Sequence, residues 1–203
     1  MDDIVKQSIA KWPNVPHCHG WLGLDARGNW RMRDERAQHQ KLAGDKIVHT
    51  ALLGFIARNY AHDERGCWFF QNGPQRVYVN LEATPYIART DAARGFVLHT
   101  GQVVGHVDAA FLTEAGELIL QSGDCVAQLD DRDVAQAMGA LELEIGGQGG
   151  QAVGDEDLLA WLDGAAARLV LRHEGRAIEV QRIKRTEVAN RFGFVRLPEI
   201  MHN

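Results

Sequence analysis

Two stretches of this chain, WLGLDARGNWRM (residues 21–32) and AAFLTEAGELILQ (109–121), each set short apolar runs on either side of a turn whose fourth residue is glycine. Glycine accepts the positive φ that such turns require, so the chain reverses there and the flanking runs pair as antiparallel strands. Further reversals fall at Gln71–Gln75, between GCWFF and RVYVNLE, and at His173–Gly175, between RLVLR and RAIEVQRI. In RVYVNLE, Val77, Val79 and Leu81 alternate with polar neighbours, as one half-buried strand face requires.

Between the hairpins lie segments of helical period. In KIVHTALLGFIARNYAHD, Val48, Leu52, Phe55, Ile56 and Tyr60 recur near every 3.6 residues, and Asp45 stands before them as a candidate cap. DDRDVAQAMGAL reads as a helix capped by Asp130 or Asp131, and DEDLLAWLDGAA as one capped by Asp155. Each half therefore runs hairpin, helix, hairpin, extra strand. The predicted class is α+β: two similar hairpin-helix-hairpin units with antiparallel sheets, one over residues 12–95 and one over 96–203. Residues 146–154, with five glycines, form the expected flexible point.

Composition narrows the function classes. No run approaches the ~18 apolar residues of a membrane span, and MDDIVKQSIAKW has acids where a leader needs bases. Cysteines 18, 67 and 125 are odd in number and irregularly spaced, which fits free thiols in a reducing cytoplasm. Residues 108–163 hold thirteen acids against one base, whereas 168–197 hold eight bases against three acids. The basic part alternates arginine with Leu169, Leu171, Ile178 and Val180 and lacks stacking aromatics until Phe192. That is a half-solvated strand pattern, so no nucleic acid is expected.

The segments GWLGLDARGNWRMRD, GDKIVHTALLGFIARNY, GCWFFQNGPQRVYVNLEATPYIART and LDDRD resemble an uncharacterised proteobacterial family known only as a domain of unknown function. They also resemble, more distantly, a second such family with the pattern Asp-x-x-Gly-x-Trp, Gly-Ser-Pro-Ile, an aromatic hairpin with Thr-Pro-x-Glu, then Ala-Pro-Phe. Asp25, Gly28 and Trp30 match its first element. Gly44 and Ile47 match the second, where Asp45 and Lys46 replace Ser and Pro. Pro74 fits the third, and Ala83, Pro85 and Tyr86 the fourth with Thr84 inserted. The resemblance implies a two-part α+β fold with repeated motifs and a role in signal transduction, and it brings no catalytic residues.

Within WPNVPHCHGW, His17, Cys18 and His19 are three metal-ligand types in succession. Alternate side chains of an extended chain share a face, so His17 and His19 can reach one ion while Cys18 points away. Further ligands would have to come from Cys67, His62 or His49, none of which forms a close-spaced pair. A structural role is the stronger expectation, with Pro13, Pro16, Trp12 and Trp21 locking a stiff strand onto the first hairpin. Nucleophilic catalysis finds little support, because Ser8 and Ser122 are the only serines and Cys18 diverges from both histidines. Gly147, Gly149 and Ala152 fit a dinucleotide fingerprint, but Asp155, Glu156 and Asp157 would repel a pyrophosphate at that helix end. Hence no cofactor is expected.

The densest aromatic patch is Trp68, Phe69, Phe70 and Tyr78. Core packing explains most of it, and Trp68, Phe70 and Tyr78 are the candidates for a ligand groove or partner interface. The surviving reading is a non-enzymatic cytoplasmic bacterial protein that binds a small molecule or a protein, without nucleic acid or membrane. An exposed edge strand or the aromatic patch would serve a homodimer. The alternative is a metal-dependent enzyme or metal sensor built on His17, Cys18 and His19.

Overall fold

The structure, a computed structural model, describes residues 1–144 and 150–199. Ile145, Gly146, Gly147 and Gly149, on which part of the flexible-point and fingerprint readings fall, lie outside the described residues. The class is α+β, and the chain forms two compact units, Met1–Pro85 with residues from Ala189 onward, and Tyr86–Val188.

The first unit opens with α1 (Asp3–Lys11), which buries Val5. There follow β1 (Cys18–Leu24), β2 (Trp30–Met32), α2 (Glu35–His39) and β3 (Asp45–Lys46), then α3 (Thr50–Arg58), β4 (Tyr60–His62), β5 (Trp68–Asn72) and β6 (Gln75–Leu81). Its sheet runs β3-β2-β1-β6-β5-β4. The second unit contains β7 (Tyr86–Asp91), β8 (Gly95–Leu98), β9 (Ala109–Thr113), β10 (Leu118–Ser122), β11 (Cys125–Leu129), α4 (Val134–Met138), β12 (Leu141–Glu144), β13 (Gln151–Ala152), α5 (Asp155–Leu162), β14 (Arg168–His173) and β15 (Arg176–Ile183). After them α6 (Val188–Arg191) leads back to the first unit. The β7–β8 hairpin pairs across residue 95, from Ala88↔Leu98 to Asp91↔Gly95, so both strands belong to the second sheet.

The second sheet runs β13-β12-β14-β15-β9-β10-β11-β7-β8. Its six central strands repeat the first unit's plan: two antiparallel three-stranded meanders joined by a parallel pair, β1 with β6 and β9 with β15. The sheets are mostly antiparallel, as expected, with parallel neighbours added at β1–β6, β9–β15 and β7–β11. A parallel neighbour needs a long crossover carrying a helix, and the helix read between the hairpins is that crossover.

One turn recurs three times. At Asp25–Asn29, Asp63–Cys67 and Thr113–Glu117, the first residue's side-chain oxygen accepts the N–H groups of the third and fifth residues at 2.8–3.3 Å. The fourth residue is Gly28, Gly66 or Gly116, with φ of 76°, 75° and 79°. An Asp or Thr oxygen thus supplies the partners that a five-residue reversal would otherwise leave open.

Helix starts differ from the sequence expectation. α3 is capped by His49, whose Nδ1 accepts the Leu52 N–H at 3.2 Å, while Asp45 lies in β3 and Val48 is exposed. Gly154 caps α5, and Asp133 precedes α4. Asp130 is instead a fully buried carboxylate that accepts the Arg132 backbone N–H at 3.1 Å and its Nε at 2.8 Å, with Arg89 Nε 3.5 Å away. Burial raises its pKa, but the Arg132 hydrogen bonds outweigh burial and hold it at about 2. A pKa depressed in the folded state stabilises above the unfolded value near 3.8 and is lost as pH falls through about 2. Asp130 is thus expected to contribute about 2 kcal/mol at neutral pH. Urea denaturation of Asp130→Asn at pH 7 and at pH 3 should show that difference shrinking, and an equal difference at both would rule the account out.

Candidate functional site

The second unit carries a cleft of about 440 Å³ lined by Tyr86, Leu98, Gln102, Val103, Val104, Gly105, Ser122 and Cys125. Three elements place these residues. Parallel pairing sets Tyr86 opposite Ala127, which puts its ring on the same sheet face as Cys125, two residues along β11. The loop after β8 is pinned by Leu98 N–H to Gln102 O at 2.8 Å and Val104 N–H to Phe96 O at 2.9 Å. The β10–β11 turn brings Ser122 beside Cys125 as a strand pair.

Among the described residues the cleft is lined by no carboxylate, lysine, arginine or histidine. Burial, and to a smaller degree the neighbouring Cys125, pushes the Tyr86 phenol up to about 12, and burial pushes the Cys125 thiol up to about 11. Both stay protonated at neutral pH. A thiol attacks only as thiolate, so the cleft is equipped to donate and accept hydrogen bonds and not to supply a nucleophile. Its size falls in the range of small-molecule sites.

The first unit gathers a different set of groups around Tyr78. His19 stacks on the Tyr78 ring at 4.5 Å and 16°, and His17 meets its edge at 5.8 Å and 74°. Phe69, paired with Tyr78 across β5 and β6, lies under the Arg76 guanidinium at 4.5 Å. The Tyr78 hydroxyl donates to Asp63 Oδ2 at 3.1 Å, and Arg65 Nη2 donates to the same oxygen at 2.9 Å. Burial raises the Asp63 pKa, but its bonds from Arg65, the Cys67 N–H and Tyr78 prevail and lower it. Burial, then Arg76 and Arg65, lowers the proton affinity of His17, and burial, then His17 and Arg65, lowers that of His19. Burial raises the Cys18 and Cys67 thiols.

Of the metal candidates, His17 and His19 share the Tyr78 ring, whereas Cys18 pairs with Val77 and so points to the other face. His49 caps α3, and His62 packs on Trp68 at 4.9 Å. Among the described residues no three His, Cys, Asp or Glu side chains come together as metal ligands. The aromatic patch divides between the faces of β5. Trp68 meets Tyr60 at 4.7 Å and Phe70 meets Phe55 at 5.4 Å on one face, while Phe69 and Tyr78 lie on the other with Cys67 and Val195. Trp68, Phe70 and Tyr78 are all buried. Trp12 and Trp21 are 50% and 39% exposed, so histidine stacking on Tyr78, and not a pair of buried tryptophans, holds the start of β1.

The cleft has one trace in the sequence, the unpatterned loop 99–108 with two glycines between apolar strands. The recruitment of Asp63 and Arg65 to Tyr78 has no local trace, since they precede it by 15 and 13 residues.

A DUF1285 family protein from Silicibacter pomeroyi DSS-3 is similar over 83% of this chain and 84% of its own, at 12% identity and a TM-score of 0.49. A DUF1285 family protein from Shewanella baltica OS155 is similar over 55% of this chain and 85% of its own, at 15% identity and a TM-score of 0.38. No curated protein matches. The family model DUF2944, described as "Protein of unknown function (DUF2946)", matches residues 1–199, and the chain belongs to this family of unknown function.

Proposed function

We propose that this chain is a ligand-binding protein and that the Tyr86–Cys125 cleft takes a small, uncharged molecule bearing hydrogen-bonding groups. The observation that carries this reading is the lining itself: a phenol, an amide, a hydroxyl and a thiol set among Leu98, Val103 and Val104, with no formal charge. A charged ligand would lose its hydration there without a counter-charge. A neutral one exchanges water for the four polar groups and buries its apolar part. A role in signalling, implied by the resemblance, fits a binder without a nucleophile. The three free cysteines support a reducing, cytoplasmic setting, and no helix among the described residues is long and apolar enough to cross a membrane.

Gly105→Trp tests the site. A Cβ at Gly105 meets nothing among the described residues within 4 Å, so the new side chain enters open space. Neutral fragments are expected to raise the wild-type Tm in a thermal-shift screen, as ligands selective for the folded state do, and to lose most of that effect in Gly105→Trp. Neutral fragments that never raise the Tm, or that act equally on both proteins, would remove the cleft from consideration.

A further inference from the structure

We propose that the Tyr78 face of the first unit binds a phosphate oxyanion between His17, His19 and Arg76. Around Tyr78 most polar groups are already matched: Asp63 accepts from Tyr78, Arg65 and the Cys67 N–H. His17, His19 and Arg76 are not. Among the described residues their side-chain contacts are ring contacts, the two imidazoles on Tyr78 and the guanidinium on Phe69. Three side chains rich in N–H groups therefore stand on one sheet face without an acceptor among the described residues.

The charge balance selects an anion. Asp63 is the carboxylate acting on His17, and Arg65 and Tyr78 occupy it, whereas Arg76 and Arg65 both act on His17 as positive neighbours. A metal cation would meet that field with two imidazoles and, among the described residues, no third ligand. The guanidinium fork grips two oxygens at once, and the two imidazole N–H groups are left for others. A tetrahedral phosphate offers that many oxygens, and a carboxylate offers only two. Arg76 and His19 are also fixed in advance by their stacking on Phe69 and Tyr78, which lowers the ordering cost of binding. The site lies in a different unit from the cleft and does not depend on it.

The test follows the imidazole signals of His17 and His19 by NMR on the full chain, assigned with His17→Gln and His19→Gln. Inorganic phosphate and phenyl phosphate are titrated separately at constant ionic strength. Both imidazoles are expected to shift saturably and to gain proton affinity in the complex, because the bound anion opposes the arginines that lower it. Arg76→Gln, with its amide spectrum intact, should weaken binding about tenfold, the loss of one charge-assisted fork, and Arg76→Lys should fall between. Tighter phenyl phosphate would assign the site to phosphate esters, and equal or tighter inorganic phosphate to the free ion. Imidazoles unmoved by either probe, or an Arg76→Gln protein that titrates like the wild type, would overturn the proposal.

Discussion

Trp161→Ala is expected to remove about 4 kcal/mol of stability from the second unit, enough to lower its Tm by roughly 15–25 °C. Trp161 is 3% exposed and is the buried residue of α5, whose Leu159 stands 62% exposed. Its indole Nε1 donates to Ala167 O at 3.1 Å, and the Arg182 guanidinium lies over the ring at 4.0 Å. Arg182 also donates to the Trp161 and Ala165 carbonyls at the end of α5. One ring therefore supplies apolar burial, a hydrogen bond and a cation–π contact. Truncating a buried tryptophan alone costs ~3–5 kcal/mol, against a total stability of about 5–15 kcal/mol for a domain. Trp161→Phe separates these contributions. It keeps most of the buried area and loses the indole N–H, so it should cost about 1–2 kcal/mol. Calorimetry on both variants decides the matter. A Trp161→Ala protein within about 1 kcal/mol of wild type would mean that α5 is not anchored through this ring.

The fold was legible in the sequence wherever the signal was local. The hairpins at Asp25–Asn29 and Thr113–Glu117 follow from glycine at the position that needs positive φ, and the structure places turns at both. The parallel joints were not legible. β1 and β6 pair Leu24 with Leu81, and β9 and β15 pair Ala110 with Val180, separations at which strand periodicity carries no information about the neighbour. Helix α1 escaped because its nine residues are mostly polar and bury only Val5. His49 as a cap escaped because imidazole is an uncommon capping group beside Asp, Ser, Thr and Asn.

The site residues divide in the same way. The alternation that sends His17 and His19 one way and Cys18 the other is a property of any extended strand, and the pairing of Cys18 with Val77 agrees with it. What those histidines face was not local. Tyr78 comes from β6 and Asp63 from the β4–β5 turn, and both are delivered by pairing that only the folded sheet defines. The cleft depends on a parallel pair, β7 with β11, that brings Tyr86 and Cys125 to one face from about 40 residues apart.

Gly66→Ala should cost about 3 kcal/mol in the first unit, and Gly193→Ala only about 1 kcal/mol, although both glycines hold positive φ, 75° and 66°. The difference lies in what a methyl group meets. At Gly66 it would sit 2.0 Å from the Gly193 carbonyl oxygen and 3.1 Å from Phe194 Cα, both backbone, whereas at Gly193 nothing among the described residues lies within 4 Å. Alanine at 193 thus bears the left-handed backbone penalty of about 1–2 kcal/mol alone. Alanine at 66 bears it and also pushes away the returning chain. That chain is held by Val195 N–H to Gly66 O at 3.0 Å, by Leu81 N–H to Arg196 O at 2.8 Å and by the Cys67↔Val195 bridge. It covers Cys67, which is 5% exposed. Displacement should therefore make the Cys67 thiol react with a thiol reagent well below the Tm, a readout available once Cys18 and Cys125 are replaced by serine. Because the clash is with the Gly193 and Phe194 backbone, loss of the cover should precede loss of the sheet, and Cys67 labelling in Gly66→Ala should run ahead of the circular dichroism transition. In Gly193→Ala the two should coincide. Equal labelling and equal Tm in the two variants would show that the close approach of Gly66 to the returning strand does not hold the C-terminal segment in place.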